Sequence, residues 1–369
     1  MAGRKRRGFG RLLAMLTSRV LLLIVAGLMI LSYCAAIVNP AKAWLMEIFG
    51  LMFLPLFVLN LFLLLWAIIR RSRAFLIPFL ALLPAFFCLN RFVQFSSDTG
   101  YPELVDDSGK NREVVRFISY NVGRFVPDAR HDIPTREACM DSVITFLNDS
   151  DADIICLQEF YVKDKSSLKA FLKRHFPKYH SEYYMFTGKY GNYGNVTLSR
   201  YPIIGKGVVK FENSANLALY SDVQAGGDEF RVYNCHFESY NVSIPGVVEK
   251  LGRDKNILKE TSDKMKGSIM RRPKQVDKVL SDIENCGKAT IVCGDFNDTP
   301  MSYTYNRLVR GRKDCFVDAG QGMGATYSVL WPLLRIDYVL VPDHMLPLSY
   351  MTFKKHYSDH HPLVTQFAI

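Results

Sequence analysis

The chain of 369 residues almost lacks acidic side chains in its first 99 residues, where only Glu47 and Asp98 stand against eleven lysines and arginines. This segment carries +9 of the formal net charge of +11, and the other 270 residues carry only +2. The rest of the chain therefore lacks the excess positive charge that lets a protein hold duplex nucleic acid through its phosphates. It also lacks internal repeats and motifs for a second catalytic domain.

Long apolar runs occur only in the N-terminal segment. Val20–Val38 and Leu51–Ile69 are uncharged runs of 19 residues each, and Ala74–Asn90 is a run of 17. A helix needs about 20 apolar residues to cross a bilayer. We therefore predict a membrane anchor over residues 1–95 with three transmembrane helices, at about residues 20–38, 51–69 and 74–92.

Two of these runs have features that weaken or compete with their assignment as transmembrane helices. Pro78 and Pro84 weaken the third run as a straight helix, although membrane helices tolerate proline. A cleaved signal peptide is the alternative for the first run. It is disfavoured because the run is long for a signal and two more follow it.

The cations around the runs predict their orientation. Basic residues between Arg4 and Arg19 precede the first run, and Arg70, Arg71 and Arg73 separate the second from the third. Because cytoplasmic loops are enriched in lysine and arginine, the N-terminus and the second loop are predicted to be cytoplasmic. Three spans would then make this a multi-pass cell-membrane protein with an extracytoplasmic C-terminal domain, periplasmic in a Gram-negative cell.

The eight cysteines do not define a compartment. Cys156, Cys235 and Cys293 lie in strand-like runs and are interpreted as buried free thiols. Pairing among Cys139, Cys286 and Cys315 stays open, because spacing alone does not show it.

After a linker over residues 96–111, strand and helix patterns alternate through a predicted catalytic domain at residues 112–369. Short connections such as Gly226–Asp228 favour a mixed rather than a purely parallel sheet, in one α/β domain. For residues 250–274 a solvated helix is favoured over a mobile insertion. The predicted strands are Val114–Tyr120, Asp153–Leu157, Asn195–Ser199, Leu217–Val223, Phe230–Phe237, Ala289–Cys293, Ile336–Val341 and Leu363–Phe367, and the predicted helices are Thr135–Leu147, Ser166–Arg174, Met270–Ile283 and Ser302–Arg310.

Polar side chains stand where many of these strands end. Any one of them is explained by a turn or a cap, since Gly, Asn and Asp favour turns. Together they are better explained by convergence at one end of a sheet, where carboxylates and amides can hold a hard divalent cation and work on a phosphate. The set comprises Asn121, Glu159, His236, Asp295 with Asn297, Asp337, and Asp359 with His360.

The ordered motifs resemble the endonuclease/exonuclease/phosphatase superfamily. They are Asn121, Gln158-Glu159, Leu198–Pro202, Asn234-Cys235-His236, Gly294–Asn297, Arg335–Tyr338 and Ser358–His360. This superfamily includes deoxyribonucleases, abasic-site endonucleases, inositol phosphatases and sphingomyelinases. The resemblance covers about residues 112–369 and implies a four-layer α/β/β/α sandwich of two mixed sheets, with a magnesium-dependent phosphoesterase site at which manganese is a possible substitute.

The resemblance also implies roles. Glu159 would be the principal metal ligand, supported by Asn121 and Asp359, and Asp295 would orient or deprotonate the attacking water. His360 with Asp337 would form the histidine–aspartate dyad. A last group would act on the substrate itself: Asn297 would hold the water or a phosphate oxygen, His236 would protonate the leaving oxygen or stabilise the transition state, and Arg200 would contact the phosphate.

We therefore predict a membrane-anchored, Mg²⁺-dependent hydrolase of phosphate esters, either a phosphodiesterase or a phosphatase. The alternative is an anchored extracytoplasmic nuclease, and a remote one is a non-catalytic scaffold with the same fold. The substrate stays open among a lipid headgroup, an inositol phosphate and nucleic acid. The sequence predicts no protein partner, and it leaves the carboxylate partner of His236 open between Glu182 and Glu238.

Overall fold

The computed structural model describes residues 2–95, 104, 109, 111–127, 133–189, 191–240, 242, 244–251, 253–254 and 256–369. The predicted linker, residues 96–111, lies outside the described residues apart from positions 104, 109 and 111. The chain divides into an N-terminal unit, residues 1–90 with 301–303, and an α/β unit, residues 91–300 with 304–369.

The N-terminal unit is helical. Its elements are α1 (Ala2–Cys34), α2 (Leu45–Leu51), α3 (Phe53–Ile69) and α4 (Leu76–Leu82), with 3₁₀ turns at Arg73–Phe75 and Leu83–Phe87. Within this unit the buried amide of Asn60 on α3 donates to the carbonyl of Val25 on α1 at 3.4 Å. The same amide nitrogen donates to the carbonyl of Leu56 at 2.9 Å, so its two N–H groups have acceptors among the apolar side chains.

Among the described residues, one helical segment is by itself long and apolar enough to cross a membrane, Leu16–Cys34 of α1. Helices α2 and α3 pass the same test only as a pair, and they meet at an angle of 64°. Pro55 lies in the first turn of α3. Its ring lacks an N–H and crowds the carbonyl four residues earlier, which explains the bend.

The third predicted span is wrong as a continuous helix. Over residues 74–92 the chain forms the seven-residue α4 and then 3₁₀ turns at Leu83–Phe87 and Leu89–Arg91. Pro84 is the second residue of the first of those turns, and a proline interrupts α-helical hydrogen bonding. The multi-pass arrangement is thus not supported, and one apolar helix near the N-terminus is what the structure shows.

The α/β unit contains two mixed six-stranded sheets. Sheet I has the strand order β13-β14-β2-β3-β5-β4, and sheet II has the order β10-β12-β9-β8-β7-β6. Only β2 with β3 and β8 with β9 pair in parallel within these sheets. The strands are β1 (Val93–Gln94), β2 (Val114–Asn121), β3 (Ile154–Val162), β4 (His180–Gly188), β5 (Gly191–Ser199), β6 (Ile203–Lys210), β7 (Leu217–Ala225), β8 (Asp228–His236), β9 (Ala289–Asp295), β10 (Arg312–Asp314), β11 (Gly322–Met323), β12 (Asp337–Pro342), β13 (Leu346–Thr352) and β14 (Leu363–Ala368).

Helices connect many of these strands. They are α5 (Arg136–Asp149), α6 (Leu168–His175), α7 (Ile244–Lys250), α8 (Ile257–Cys286), α9 (Tyr303–Leu308) and α10 (Cys315–Ala319), with 3₁₀ turns at Gly123–Phe125, Lys165–Ser167 and Ser328–Leu330. Side chains of α5 and α6 pack on sheet I, and side chains of α8 and α9 pack on sheet II. Residues 250–274, for which a helix was favoured, lie largely in α8.

Apolar side chains form one core between each sheet and its helices, and a third core lies between the two sheets. Phe117 and Cys156 of sheet I meet Ile291 and Val339 of sheet II there, while their neighbour Ile118 faces the helices. Because successive side chains of a strand point to opposite faces, a strand buried on both faces is apolar throughout. This explains why the central strands were recognisable in the sequence.

All eight predicted strands are present, whereas β1, β4, β6, β10, β11 and β13 were missed. Of these, β4, β6, β10 and β13 are the outermost strands of the two six-stranded sheets and are mostly half-buried or exposed. Such strands need no apolar run, so the sequence shows none. The cysteines are all free thiols.

Candidate active site

The predicted site residues meet at one edge of the two sheets. Asn121, His236 and Asp295 end strands β2, β8 and β9, and Glu159 lies late in β3. Asp337 begins β12, which runs antiparallel to β9 and pairs Asp337 with Asp295, and His360 shortly precedes β14, which runs antiparallel to β2. Ends of parallel strands and beginnings of antiparallel ones therefore share this edge.

Asp295 is the most enclosed carboxylate of the cluster. Its Oδ2 accepts hydrogen bonds from Asn121 Nδ2 at 2.9 Å and Asn297 Nδ2 at 3.1 Å, and its Oδ1 accepts one from the Asn297 backbone N–H at 2.8 Å. Burial raises the pKa of Asp295 to about 6, against the opposing attraction of His360. The amides thus orient a carboxylate whose proton affinity suits exchange near neutral pH.

The turn after Asp295 requires unusual backbone conformations. Gly294 has φ +118°, and a Cβ there would lie 2.0 Å from the carbonyl oxygen of Cys235 on β8. Asn297 has φ +53°, in the left-handed region that asparagine tolerates better than most residues. The glycine of the Gly294–Asn297 motif therefore allows β8 and β9 to approach closely.

His360 and Asp337 form the expected dyad. His360 Nδ1 is 2.8 Å from Asp337 Oδ2, and His360 Nε2 is 3.7 Å from Asp295 Oδ2. Burial disfavours the imidazolium, but the two carboxylates outweigh it and hold the pKa of His360 well above its usual value. These carboxylates therefore favour the imidazolium form, in which both ring nitrogens are hydrogen-bond donors.

Glu159 lies in a break of the β3–β5 pairing between Leu157 and Phe160, and its φ is +52°. A left-handed glutamate is uncommon and costs conformational energy. Its Oε2 is 2.8 Å from Arg124 Nε, and its Oε1 is 3.7 Å from His236 Nε2. Burial raises the pKa of Glu159, yet the attraction of His236 and Arg124 holds it below the usual value.

His236 has two neighbouring carboxylates. Its Nε2 lies 3.7 Å from Glu159 Oε1 and 3.8 Å from Asp295 Oδ2. Neither carboxylate considered from the sequence fills this place, because Glu238 pairs with Arg271 and Glu182 pairs with Lys206, both at 2.8 Å.

The structure places Asp359 at the site and Arg200 away from it. Asp359 joins the edge beside His360, and its Oδ1 accepts a hydrogen bond from Ser358 Oγ at 3.2 Å. Arg200 does not join it, because it follows Ser199, which pairs with Ile154 at the other end of β3. There Arg200 pairs with Asp151 and, at 3.7 Å, with Asp153, so its predicted phosphate contact is corrected to a salt bridge remote from the site.

Sequence reasoning assigned no role to several residues of the site. Arg124 follows the turn after β2 and reaches Glu159, and the Tyr327 ring lies 5.3 Å from that of His360. Arg124 lies three residues after Asn121, and this proximity was the available signal.

Buried amides beneath the site also join the two sheets. Gln158 Nε2 donates to Asn234 Oδ1 at 2.8 Å, and Asn195 Nδ2 donates to the Asn234 carbonyl at 2.9 Å. Gln158 and Asn234 each lie one or two residues before a predicted site residue, but no sequence pattern shows that their side chains meet.

One cluster of described side chains could hold a metal ion. The ligand atoms of Asp295, Asp337 and His360, all buried, lie within 4.8 Å of one another. The carboxylates around His360 favour its protonated form, which does not bind a cation, whereas Glu159, Asn121 and Asp359 offer the oxygen ligands that a hard cation prefers. The buried His236 Nε2 lies near the carboxylates of Glu159 and Asp295 and has no hydrogen-bond partner among the described atoms. This is expected where a further polar group binds.

A cavity formed by described residues lies away from this edge. It measures about 650 Å³ and is lined by residues that include Arg116, Phe146 and Lys355. Arg116 lies near the beginning of β2, whereas Asn121 ends it. We assign the site by the convergence of ionisable groups, because cavity size alone carries no chemistry.

Two packed mixed sheets with carboxylate, amide and imidazole groups gathered at one edge are the architecture and site type of phosphoesterase hydrolases. A family model described as the endonuclease/exonuclease/phosphatase family matches residues 118–360, and the chain belongs to this family. Residues 14–92 match a second model, described as a domain of unknown function (DUF8431).

Solved structures agree on the fold of the α/β unit. The chain is similar to an endonuclease/exonuclease/phosphatase from Bacteroides vulgatus, with 19% identity, TM-score 0.51, and coverage of 69% of this chain and 99% of that one. The human Nocturnin catalytic domain, crystallised with a sulfate anion, has 16% identity, TM-score 0.52, and coverage of 69% and 96%. No curated protein matches the chain significantly.

Proposed function

We propose that the α/β unit hydrolyses phosphate esters with the help of a bound divalent cation, with magnesium preferred and manganese as a substitute. One observation carries this proposal: the buried His360–Asp337 pair faces the amide-held carboxylate of Asp295, with Glu159 on the other side of His236. A proton donor, a proton acceptor and a cation-binding carboxylate thus surround one point. These are the groups that phosphate-ester hydrolysis requires.

In this proposal Glu159 holds the cation, with Asn121 and Asp359 as supporting ligands. Bound there, a divalent cation supplies positive charge to the phosphate oxygens on which charge develops. Arg124 forms a salt bridge with Glu159 Oε2, and its side chain is half-exposed. We propose that its guanidinium turns to the substrate phosphate, onto which it can fork two hydrogen bonds.

The remaining residues move protons and hold atoms. Asp295 accepts a proton from the attacking water, which is favourable because burial has raised its pKa to about 6. Asn297 holds Asp295 in place and offers its amide to the water or to a phosphate oxygen. His360, kept charged by Asp337, donates to the phosphate, and His236 lies where it can protonate the leaving oxygen.

The test is a panel of phosphate esters with full-length protein in detergent, with and without Mg²⁺. It contains bis-p-nitrophenyl phosphate, inositol phosphates, sphingomyelin, plasmid DNA and RNA, and the Asp295→Asn variant is the blank. We expect Mg²⁺-dependent hydrolysis that the blank lacks. Hydrolysis confined to nucleic acid would establish the nuclease alternative, and equal signals from wild type, Glu159→Gln and His360→Ala would favour the scaffold.

We also propose that the N-terminal unit anchors the protein in the cell membrane, with its N-terminus in the cytoplasm. The support is the apolar segment Leu16–Cys34 and the basic residues that precede it. With one crossing the α/β unit is extracytoplasmic, whereas a second crossing by α2 and α3 would return it to the cytoplasm.

Fusions after residue 71 and after residue 369 to alkaline phosphatase and to green fluorescent protein test this topology. We expect an active phosphatase at the C-terminus. If the C-terminal phosphatase fusion is inactive and the C-terminal green fluorescent protein fusion is fluorescent, the proposed orientation is contradicted.

A further inference from the structure

A loop at residues 327–334, called the rim loop below, grows directly out of the active-site edge. The backbone N–H groups of Thr326 and Tyr327 both donate to the carbonyl of Leu334, at 2.9 and 3.1 Å, and close its base. Its Ser328 N–H donates to the carbonyl of Asp359 at 2.8 Å, and Tyr327 forms an isolated β-bridge with His360. The loop is therefore fixed beside the dyad histidine.

The rim loop carries an apolar sequence that the fold leaves uncovered. Residues 329–334 read Val-Leu-Trp-Pro-Leu-Leu, and none of them is buried. Trp331 is 43% exposed and Leu333 is 39% exposed, so two large apolar side chains lie in water within three residues. Exposing them forgoes on the order of 1 kcal/mol each, which a covering surface would recover.

A lysine accompanies the tryptophan. The Nζ of exposed Lys354 lies 4.0 Å from the centre of the Trp331 ring. Tryptophan and lysine are the side chains that favour the boundary between lipid tails and headgroups, because each has an apolar body and a polar end. A lysine near an anionic membrane surface contributes about 1 kcal/mol to binding.

Resting on the proposed function, we propose that the rim loop inserts into the surface of a lipid bilayer and that the substrate is the phosphate ester of a lipid headgroup. A bilayer suits this loop better than a protein partner, because the exposed apolar residues form one short segment with a cation beside it. The chain also carries its own bilayer-length apolar helix, Leu16–Cys34. A loop inserted beside His360 would bring headgroup phosphates to the reacting groups.

Trp331 provides a direct probe, because the other two tryptophans, Trp44 and Trp66, lie in the N-terminal unit. Full-length protein with Trp44→Phe and Trp66→Phe is placed in nanodiscs of phosphatidylcholine and phosphatidylglycerol, whose two faces are both accessible. Replacing the phosphatidylcholine with its acyl-brominated form should quench the Trp331 emission about twofold or more, because bromine quenches only at contact range and insertion is expected to reach the acyl boundary. Aqueous iodide should quench it weakly.

Matched variants locate the effect. Leu333→Ser should reduce bromine quenching in the same background, whereas Ile204→Ser should not. Ile204 is 52% exposed, but it lies early in the edge strand β6, remote from His236. If the double substitution lowers stability, the difference between wild type and Trp331→Phe in the two kinds of disc gives the same information.

Two outcomes overturn the insertion. In one, iodide quenches Trp331 fully and brominated lipid does not quench it. In the other, Trp331 is shielded from iodide only at high protein concentration and without bromine quenching, which indicates a protein interface.

The quenching requires no turnover, so it separates this inference from the proposed function. Quenching in a protein that hydrolyses no ester contradicts the function and leaves the insertion standing. For the substrate class, rates are compared on a phospholipid in discs and on its short-chain monomeric analogue. Leu333→Ser should lower the ratio of the two rates about tenfold, the equivalent of about 1.4 kcal/mol of lost apolar burial. An unchanged ratio would contradict the lipid substrate.

Discussion

Two buried aspartates of sheet II have opposite electrostatic surroundings. Asp222 on β7 pairs with Arg231 at 2.6 Å and with Lys288 at 2.8 Å, and these cations hold its pKa below the usual value although burial raises it. Asp295 at the end of β9 has amides and histidines around it, and burial raises its pKa to about 6. The charge of Asp222 is balanced by two basic side chains. Asp295 has no lysine or arginine among its cited partners, so its carboxylate can act on a bound ligand.

The same contrast holds for the two ends of the sheets. At the active-site edge, Glu159, Asp295, Asp337 and Asp359 face one arginine and a charged His360. At the other end, Arg200 is matched to Asp151 and Asp153. Evolution of a stable fold favours paired charges, so an unbalanced set of carboxylates indicates a binding or catalytic role.

The largest difference is expected between Asp295→Asn and Asp222→Asn. Loss of the proton acceptor should lower kcat by roughly 10³-fold, the typical contribution of a general base. Asp222→Asn should instead leave kcat near wild type and lower the free energy of unfolding by roughly 3 kcal/mol, because Arg231 loses a partner within a largely buried pair. Steady-state kinetics and urea denaturation of both variants measure this, and an equal loss of kcat in both would remove the distinction.

A second comparison concerns two glycines with positive φ. Gly294→Ala should destabilise the α/β unit by roughly 3 kcal/mol or more, because its Cβ would lie 2.0 Å from the Cys235 carbonyl oxygen. Gly227→Ala meets nothing within 4 Å and has only the unfavourable φ of +96°. It should therefore cost about 1 kcal/mol. Thermal unfolding decides the point, and similar losses would show that φ rather than the close approach matters at Gly294.

Substitution of Arg124 and of Arg200 compares the active-site edge with the opposite end of the sheets. Arg124→Ala should raise KM about tenfold, the cost of roughly one charge-assisted hydrogen bond to the phosphate. Arg200→Ala removes a guanidinium that is bound to Asp151 and Asp153 and should leave KM within about twofold. Kinetics on bis-p-nitrophenyl phosphate suffice, and a larger effect at Arg200 would restore its predicted role.

The smallest expected effect is a shift in pH dependence. The pKa of His360 is raised in the folded state, so its contribution to stability is complete below its unfolded pKa of about 6.5 and is lost as pH rises through the folded pKa. Asp337→Asn removes the largest favourable cause of this shift. The basic limb of kcat/KM should therefore move to lower pH by about one unit.

Unfolding temperatures at pH 6 and pH 9 provide the accompanying measurement. The wild type should lose more stability between these values than Asp337→Asn does. The Asp222→Asn variant is the control, and it should move neither the basic limb nor the pH dependence that His360 causes.

Much of the α/β unit was predictable because its central strands are buried on both faces. Continuous apolar runs such as Ile154–Leu157 and Ala289–Cys293 indicated these strands, and the polar residues just after them indicated the site. The edge strands β4 and β13 escaped prediction, because half-exposed strands alternate too weakly to be recognised. In the N-terminal unit, apolar composition predicted membrane-length helices; Pro78 and Pro84 were recognised as weakening the third run, whereas the bend near Pro55 was not predicted.

Within the site, the residue types were predictable and the partnerships were not. Asn121 and Asp295 are 174 positions apart in the chain, and their 2.9 Å hydrogen bond depends on the packing of one sheet on the other. Glu159 meets Arg124 for a similar reason, because a turn after β2 brings the guanidinium beside β3. Arg200 shows the converse: a motif residue is directed to the other end of a strand by antiparallel pairing.

The sequence by itself determined the central strands, the chemistry available at their ends and an apolar segment near the N-terminus, since these depend on local pattern and composition. Only the tertiary structure decided which charges are paired, which side chains meet and which apolar residues stay exposed. These properties depend on contacts between distant segments, and burial then alters the acidity of the groups that meet. Asp295 and Asp222 are the same residue type, and only their surroundings separate a candidate catalytic carboxylate from a structural one.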